Sequence, residues 1–406
     1  MIGFGQTHMR FANLSVSLVA LVLVACGGAK VEPKVGPTSQ AQNQIISVKA
    51  EGTAKELFEK GERAMLGQEW QLAVDSFETL LAAEPTAADV PTILFNLGVS
   101  YEGLQEREKS RERFRTLVAK FPSDPNVRHA LVREAGLDAY LEDWKALGEV
   151  AQTILDRKDI NDVDRMTALG ARSLSRIELG DLAGASKDVQ EGLDLVDTLH
   201  YGSTGRLPVA AAQLKFAHGE VRRVRSEQIS LLPVTPDFLM KIEMRCQGLL
   251  DAQNAFADAI RSIDPHWAAM SGYRVGDMYR TLHKELMQIP PVNAKSESDR
   301  MLFFAMMHLR YRVLLEKGLE MMKRTIALAE KTQDSSSWAK RAEQAKADIE
   351  GALDVERAEF KKFPYSEETV QEALDILKRK ANEKAAKEIE RAVQSTEKAE
   401  KAEKKK

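Results

Sequence analysis

From Ala54 to Pro85 the chain reads AKELFEKGERAMLGQEWQLAVDSFETLLAAEP, and from Pro91 to Pro122 it reads PTILFNLGVSYEGLQEREKSRERFRTLVAKFP. The two stretches align at a shift of 37 residues, the separation of Gly61 and Gly98. Where the first has Leu57, Gly61, Ala73, Phe77, Leu80 and Pro85, the second has Leu94, Gly98, Ser110, Phe114, Leu117 and Pro122. Within each copy apolar residues recur at i, i+3, i+4 and i+7 with charges between them, the pattern of an amphipathic helix. Each copy holds two such helices. A single pair cannot bury its apolar face alone, so a recurrence of this length predicts an all-α solenoid whose neighbours supply the core. Gly61 and Gly98 fall inside first helices, where glycine costs about 1 kcal/mol relative to alanine. They mark the place where the two helices of a pair approach most closely. Pro85 and Pro122 stop second helices, because proline lacks an N–H and has a restricted φ.

A third copy carries Leu131, Ala135, Trp144, Ala151 and Ile154, and a fourth carries Leu169, Ser173, Gly180, Ala185 and Val189. The array spans 53–199. The stretch His200–Arg206 reads as a loop, and beyond it the periodic segments lengthen: 208–230, 236–263, 266–288, 297–332 and 335–361. These form a long-helix array over 207–364. The stretch 365–380 follows as a polar capping helix, with Glu367 and Glu368 in its first turn and Lys378, Arg379 and Lys380 in its last, as the helix dipole favours. Residues 381–406, rich in Lys, Glu and Ala, read as a charged low-complexity tail.

Composition narrows the function classes. The 406 residues are 44% hydrophobic and 29% charged with a formal net charge of −3, without the basic excess of a nucleic-acid binder. Phosphate-loop, zinc-protease, dithiol and nucleophile-elbow motifs are all missing from the sequence. His266, His283 and His308 are too far apart in sequence to make a local ligand pair, and carboxylate neighbours such as Glu106 and Glu108 read as solvated helix faces. The expectation is a protein without cofactor or metal that is not an enzyme. Trp70, Trp144, Trp267 and Trp338 read as packing residues, and Cys246 as a small hydrophobe on a helix.

Residues 1–25 have a short n-region with Arg10 and an apolar h-region, FANLSVSLVALVLVA. This is shorter than the roughly 20 residues of a membrane-spanning helix and reads as a signal peptide. It runs into Leu23-Val24-Ala25-Cys26-Gly27-Gly28, which resembles the lipobox of bacterial lipoproteins. That resemblance implies cleavage before Cys26, with diacylglyceryl and N-acyl modification of Cys26 as the first mature residue. Two or more acyl chains anchor stably, at about 0.8 kcal/mol per buried CH₂. Gly27, in place of an inner-membrane Asp, favours the outer membrane by analogy. The tether that follows, up to residue 52, is rich in Gly, Pro, Ser, Gln and Asn. As a coil it would span about 30 Å.

The repeats resemble the tetratricopeptide repeat (TPR) family, with Tyr101 at that family's aromatic position. The resemblance implies a right-handed solenoid with Gly61, Ala73, Phe77, Gly98, Tyr101, Phe114 and Gly276 as repeat-packing residues. PHWAAMSGYRVGDMYR and RVLLEKGLEMMKRTIALAEKTQDSSSW, within about 250–345, resemble the C-terminal half of TPR outer-membrane lipoproteins of deltaproteobacteria, myxobacteria especially. That group includes lipoproteins of the gliding-motility machinery, and the likeness implies a scaffold.

In TPR proteins set positions of each first helix line a concave groove. Carried over, these are Phe58, Glu62, Met65 and Leu66; Phe95, Val99 and Glu102; His129, Val132 and Tyr140; and Leu174 and Ile177. The groove is thus largely apolar and suits an amphipathic helix or an extended apolar peptide of an envelope protein. A segment of the chain itself is the alternative occupant. Asn96 and Arg133 stand at two positions of the clamp that binds carboxylate termini, but Phe58 and Glu62 replace the expected Lys and Asn, which argues against a clamp. The resulting expectation is a periplasm-facing, lipid-anchored scaffold of a multiprotein envelope complex. Assembly of outer-membrane proteins is the alternative, and regulation of a cell-wall enzyme a more distant one.

Overall fold

The computed structural model describes residues 53–83, 89–201, 210–261, 264–292, 294–332, 336–380 and 383. The signal peptide, Cys26, the tether, Pro85, most of the loop around 200–206 and nearly all of the tail lie outside them. The described residues form an all-α solenoid. Its helices are α1 (Thr53–Leu66), α2 (Trp70–Ala82), α3 (Val90–Gly103), α4 (Arg107–Lys120), α5 (Val127–Tyr140), α6 (Trp144–Asp156), α7 (Asp162–Glu178) and α8 (Leu182–Thr198). After them come α9 (Ala210–Glu227), α10 (Phe238–Ile260), α11 (Pro265–Leu286), α12 (Glu297–Thr332), α13 (Ser337–Phe360) and α14 (367–380). The helix starts of the first three repeats fall at 53, 90 and 127 and at 70, 107 and 144, so the 37-residue period is also the structural one.

Odd-numbered helices are first helices and even-numbered ones second helices. Each first helix from α1 to α11 packs on its own second helix, and from α3 onward each packs on the preceding second helix too. First helices also meet each other along α5, α7, α9, α11 and α13. That is nearest-neighbour packing, as a solenoid requires. The two largest apolar clusters run from Phe58 to Leu137 and from Val127 to Trp338, with Val118 against both. The second cluster runs past residues 200–207 without a break, so the core does not divide where the helices lengthen.

The pairs are held by a device that recurs. A Cβ on Gly61 would lie 2.6–2.9 Å from the Phe77 ring, and one on Gly98 would lie 2.5–2.9 Å from the Phe114 ring. The ring fills the space a side chain would take. Ala73 and Ser110 are fully buried beside this contact, and the Ser110 hydroxyl donates to the Gly98 carbonyl at 2.8 Å. Tyr101 donates to Glu78 of the preceding repeat at 2.8 Å, and Arg113 also reaches Glu78 at 2.8 Å. Gly219 meets Phe256 in the same way, at 2.5–2.8 Å, an instance the sequence alignment missed because the spacing had stretched to 37 residues. Between α11 and α12 a Cβ on Gly276 would lie 2.7 Å from Met322 and 3.1 Å from the Gly318 carbonyl, a backbone-to-backbone approach.

The turns between first and second helices share a second device. The N–H of Glu69 bonds the Ala64 carbonyl (2.8 Å), Glu106 bonds Tyr101 (3.0 Å), Asp143 bonds Asp138 (2.9 Å) and Asp181 bonds Arg176 (2.7 Å). These are Schellman closures, and each places one residue in the left-handed region. Those residues are Gln68, Gln105, Glu142 and Gly180, with φ of 58°, 63°, 60° and 89°. Only the last is glycine. Left-handed backbone costs a non-glycine residue about 1–2 kcal/mol, so Gln68→Gly is expected to stabilise the chain by about 0.5–1 kcal/mol after glycine's entropy is counted. Urea unfolding of the single variant checks this.

Candidate functional site

The structure corrects the groove assigned from the sequence. Phe58, Met65, Phe95, Val99 and Leu174 are only 2%, 2%, 6%, 5% and 1% exposed. Phe58 turns inward to meet Phe77 edge-on, with ring centroids 5.7 Å apart, and Phe95 meets Phe114 with the same separation. An aromatic ring at this position completes the Gly–Phe contact of its own repeat, and burying its area outweighs displaying it. These residues belong to the core. Val132 and Tyr140 remain half-buried, and Leu66 is 70% exposed.

What lines the accessible face is therefore more polar than expected. On α5, His129, Val132, Arg133, Gly136 and Tyr140 follow helical spacing along one face. Gly136 stands in register with Glu62 and Val99, is exposed, and a Cβ built on it meets nothing within 4 Å. It leaves helix backbone uncovered in that face, which the aligned motif did not signal because only the close-packed glycines recur in the repeat. Arg133 is already engaged by Glu102 and lies 5.9 Å from the Phe95 ring centroid. The Asn96 side chain is fully buried. Neither residue is presented as part of an anion clamp. Burial pushes the Glu102 carboxyl up, against the pull of Arg133, and pushes Glu62 up as well, with Glu59 adding to it.

Beyond repeat 3, polar side chains of separate repeats meet one another. Arg274 of α11 lies 3.5 Å from Glu178 of α7 and 3.3 Å from Glu220 of α9. Glu220 is fully buried and holds Arg223 at 2.9 Å. Burial alone would raise its carboxyl, but Arg274 and Arg223 hold it below the ordinary value. Trp338 of α13 is 1% exposed, packs edge-on against Tyr273 at 5.4 Å and has Arg274 and Arg341 over its ring at 5.2 and 4.3 Å.

A third polar cluster joins the last helices. Glu356 of α13 sits 3.2 Å from His283 Nε2 of α11 and 2.5 Å from His308 Nδ1 of α12. Burial would raise the carboxyl, yet the hydrogen bond with His308 and the nearby His283 imidazole bring it down to about 2. A depressed carboxylate contributes stability that is present above its unfolded value near 4.5 and is lost as pH falls toward about 2. Urea unfolding between pH 2 and 6 should show that loss, and Glu356→Gln should flatten it. Among the described residues no group of three or more His, Cys, Asp and Glu is placed to hold a metal ion. Cys246 is half-buried on α10, where burial pushes its thiol up. No described helix is long and apolar enough to cross a membrane.

No family model matches the chain, and no curated protein sequence does either. Among solved structures it is similar to a tetratricopeptide repeat protein from Parabacteroides merdae, at 13% identity and a TM-score of 0.40, over 71% of this chain and 98% of that one.

Proposed function

We propose that this chain is a non-enzymatic scaffold that displays the concave face of its first three repeats to a segment of a partner protein. The carrying observation is the exposed Gly136, where an added Cβ meets nothing within 4 Å, beside half-buried Val132 on the same face of α5. Helix-pair arrays hold such faces pre-formed, so little ordering entropy opposes binding. The mixed lining, with Leu66 and Val132 beside Glu62, His129 and the Glu102–Arg133 pair, suits an amphipathic helix better than a purely apolar strand.

The lipobox reading of Cys26 supplies the location: a lipid anchor in the outer membrane, a tether, and a repeat array facing the periplasm. The partner on this reading is a protein of an envelope complex, with the gliding-motility machinery as the class suggested by the likeness of residues 250–345. Gly136→Trp is the test. The added Cβ meets nothing within 4 Å and a helix-interior glycine is replaced, so folding is preserved or helped by about 0.5 kcal/mol. Pull-down with the lipidated chain should lose at least tenfold in partner recovery, while Gly136→Ala keeps it. Equal recovery with Trp at 136 removes this face from the reading.

A further inference from the structure

Repeats in a solenoid touch their neighbours, yet here repeat 3 also touches repeats 6 and 7. The Tyr140 ring at the end of α5 stacks on His266 at the start of α11, with centroids 4.3 Å apart and planes 24° from parallel. Arg107 lies over the Tyr140 ring at 3.4 Å. Two residues on, Glu142 accepts from Ser337 at 3.0 Å and pairs with Arg341 at 2.8 Å, both on α13. The left-handed backbone of Glu142, with φ of 60°, belongs to the turn that carries this carboxylate. Contacts between adjacent repeats combine a buried apolar core with ion pairs such as Arg113–Glu78 and Arg115–Glu134. This long-range contact is made of partly exposed polar groups, with side chains 42% exposed at Arg341 and 25% at Glu142.

We propose that Glu142, with Ser337 and Arg341, and the Tyr140–His266 stack form a clasp that ties repeats 6 and 7 to repeat 3 and is the first contact of the array to open. Opening parts the stacked Tyr140 and His266 rings, both half-buried in the closed array. α12 and α13 share a buried cluster of Leu315, Met322, Ala342, Ala345, Ile349 and Leu353, so they swing as one body rather than separating. Closed and open states then differ in buried aromatic surface but not in helix content. The device is independent of whether the first three repeats bind a partner, because its readouts are intramolecular.

Hydrogen exchange of the full chain tests it. In Glu142→Arg, the opening turns of α11 and α13 should exchange about five- to tenfold faster than in the unmodified chain, the range expected from losing an ion pair and turning it repulsive. The scattering radius should rise, and exchange in α3 should not change. The double variant Glu142→Arg with Arg341→Glu restores the pair with reversed sign and should return both segments to their original rates. Exchange within about twofold of the unmodified chain in Glu142→Arg overturns the clasp. So does acceleration that the reversed pair fails to undo.

Discussion

Phe114→Ala is expected to destabilise the chain by about 3–5 kcal/mol, the range for emptying a fully buried aromatic site. The ring is 0% exposed, meets Phe95 edge-on at 5.7 Å and occupies the space above Gly98. A change of sign at Gly98 makes the test sharper. With Phe114 present, Gly98→Ala drives a Cβ to 2.5 Å from the ring and should destabilise. With Phe114→Ala already in place the space is empty, and Gly98→Ala should stabilise by up to about 1 kcal/mol through helix propensity. Urea unfolding of the four proteins in that cycle measures it. A loss under about 1 kcal/mol for Phe114→Ala would mean the Gly–Phe contact does not hold the pair.

Glu220→Ala is the second large effect, at about 3–5 kcal/mol. Removing one partner of a buried ion network leaves the opposite charges undercompensated. Here Arg223 at 2.9 Å and Arg274 at 3.3 Å both lose the buried carboxylate between them and keep only the more exposed Glu227 and Glu178. Glu142→Gln, at the partly exposed clasp, should by contrast change global stability by about 1 kcal/mol or less. Unfolding curves that rank the two the other way would show that the buried network at α9 and α11 is not what joins repeats 5 and 6.

The alignment of 54–85 with 91–122 made the helix-pair architecture legible, because Gly61, Phe77, Gly98 and Phe114 repeat as a contact pair and only that contact explains glycine inside a helix. The long helices were legible too: 297–332 coincides with α12. The groove was not. Position along a helix says which face a residue is on, but not how far the helix rolls toward its partner, and Phe58 and Phe95 roll inward onto Phe77 and Phe114. The left-handed turn residues Gln68, Gln105 and Glu142 also escaped notice, since Gln and Glu carry no signal for that conformation. Nothing in the sequence marks Glu220 or Arg274 as buried charges. Their partners lie on other repeats, and closure of the array across several repeats cannot be read from a period.

The face of the first three repeats is the central claim, and a photoreactive residue tests it most directly. Gly136 and Gly351 are both exposed helix positions where an added side chain meets open space, one on α5 and one on α13. Installed in turn in the full-length lipidated chain in intact cells, the probe at 136 should form a discrete crosslink to an envelope protein that the probe at 351 does not form. No adduct at 136, or the same adducts at both positions, would contradict the account.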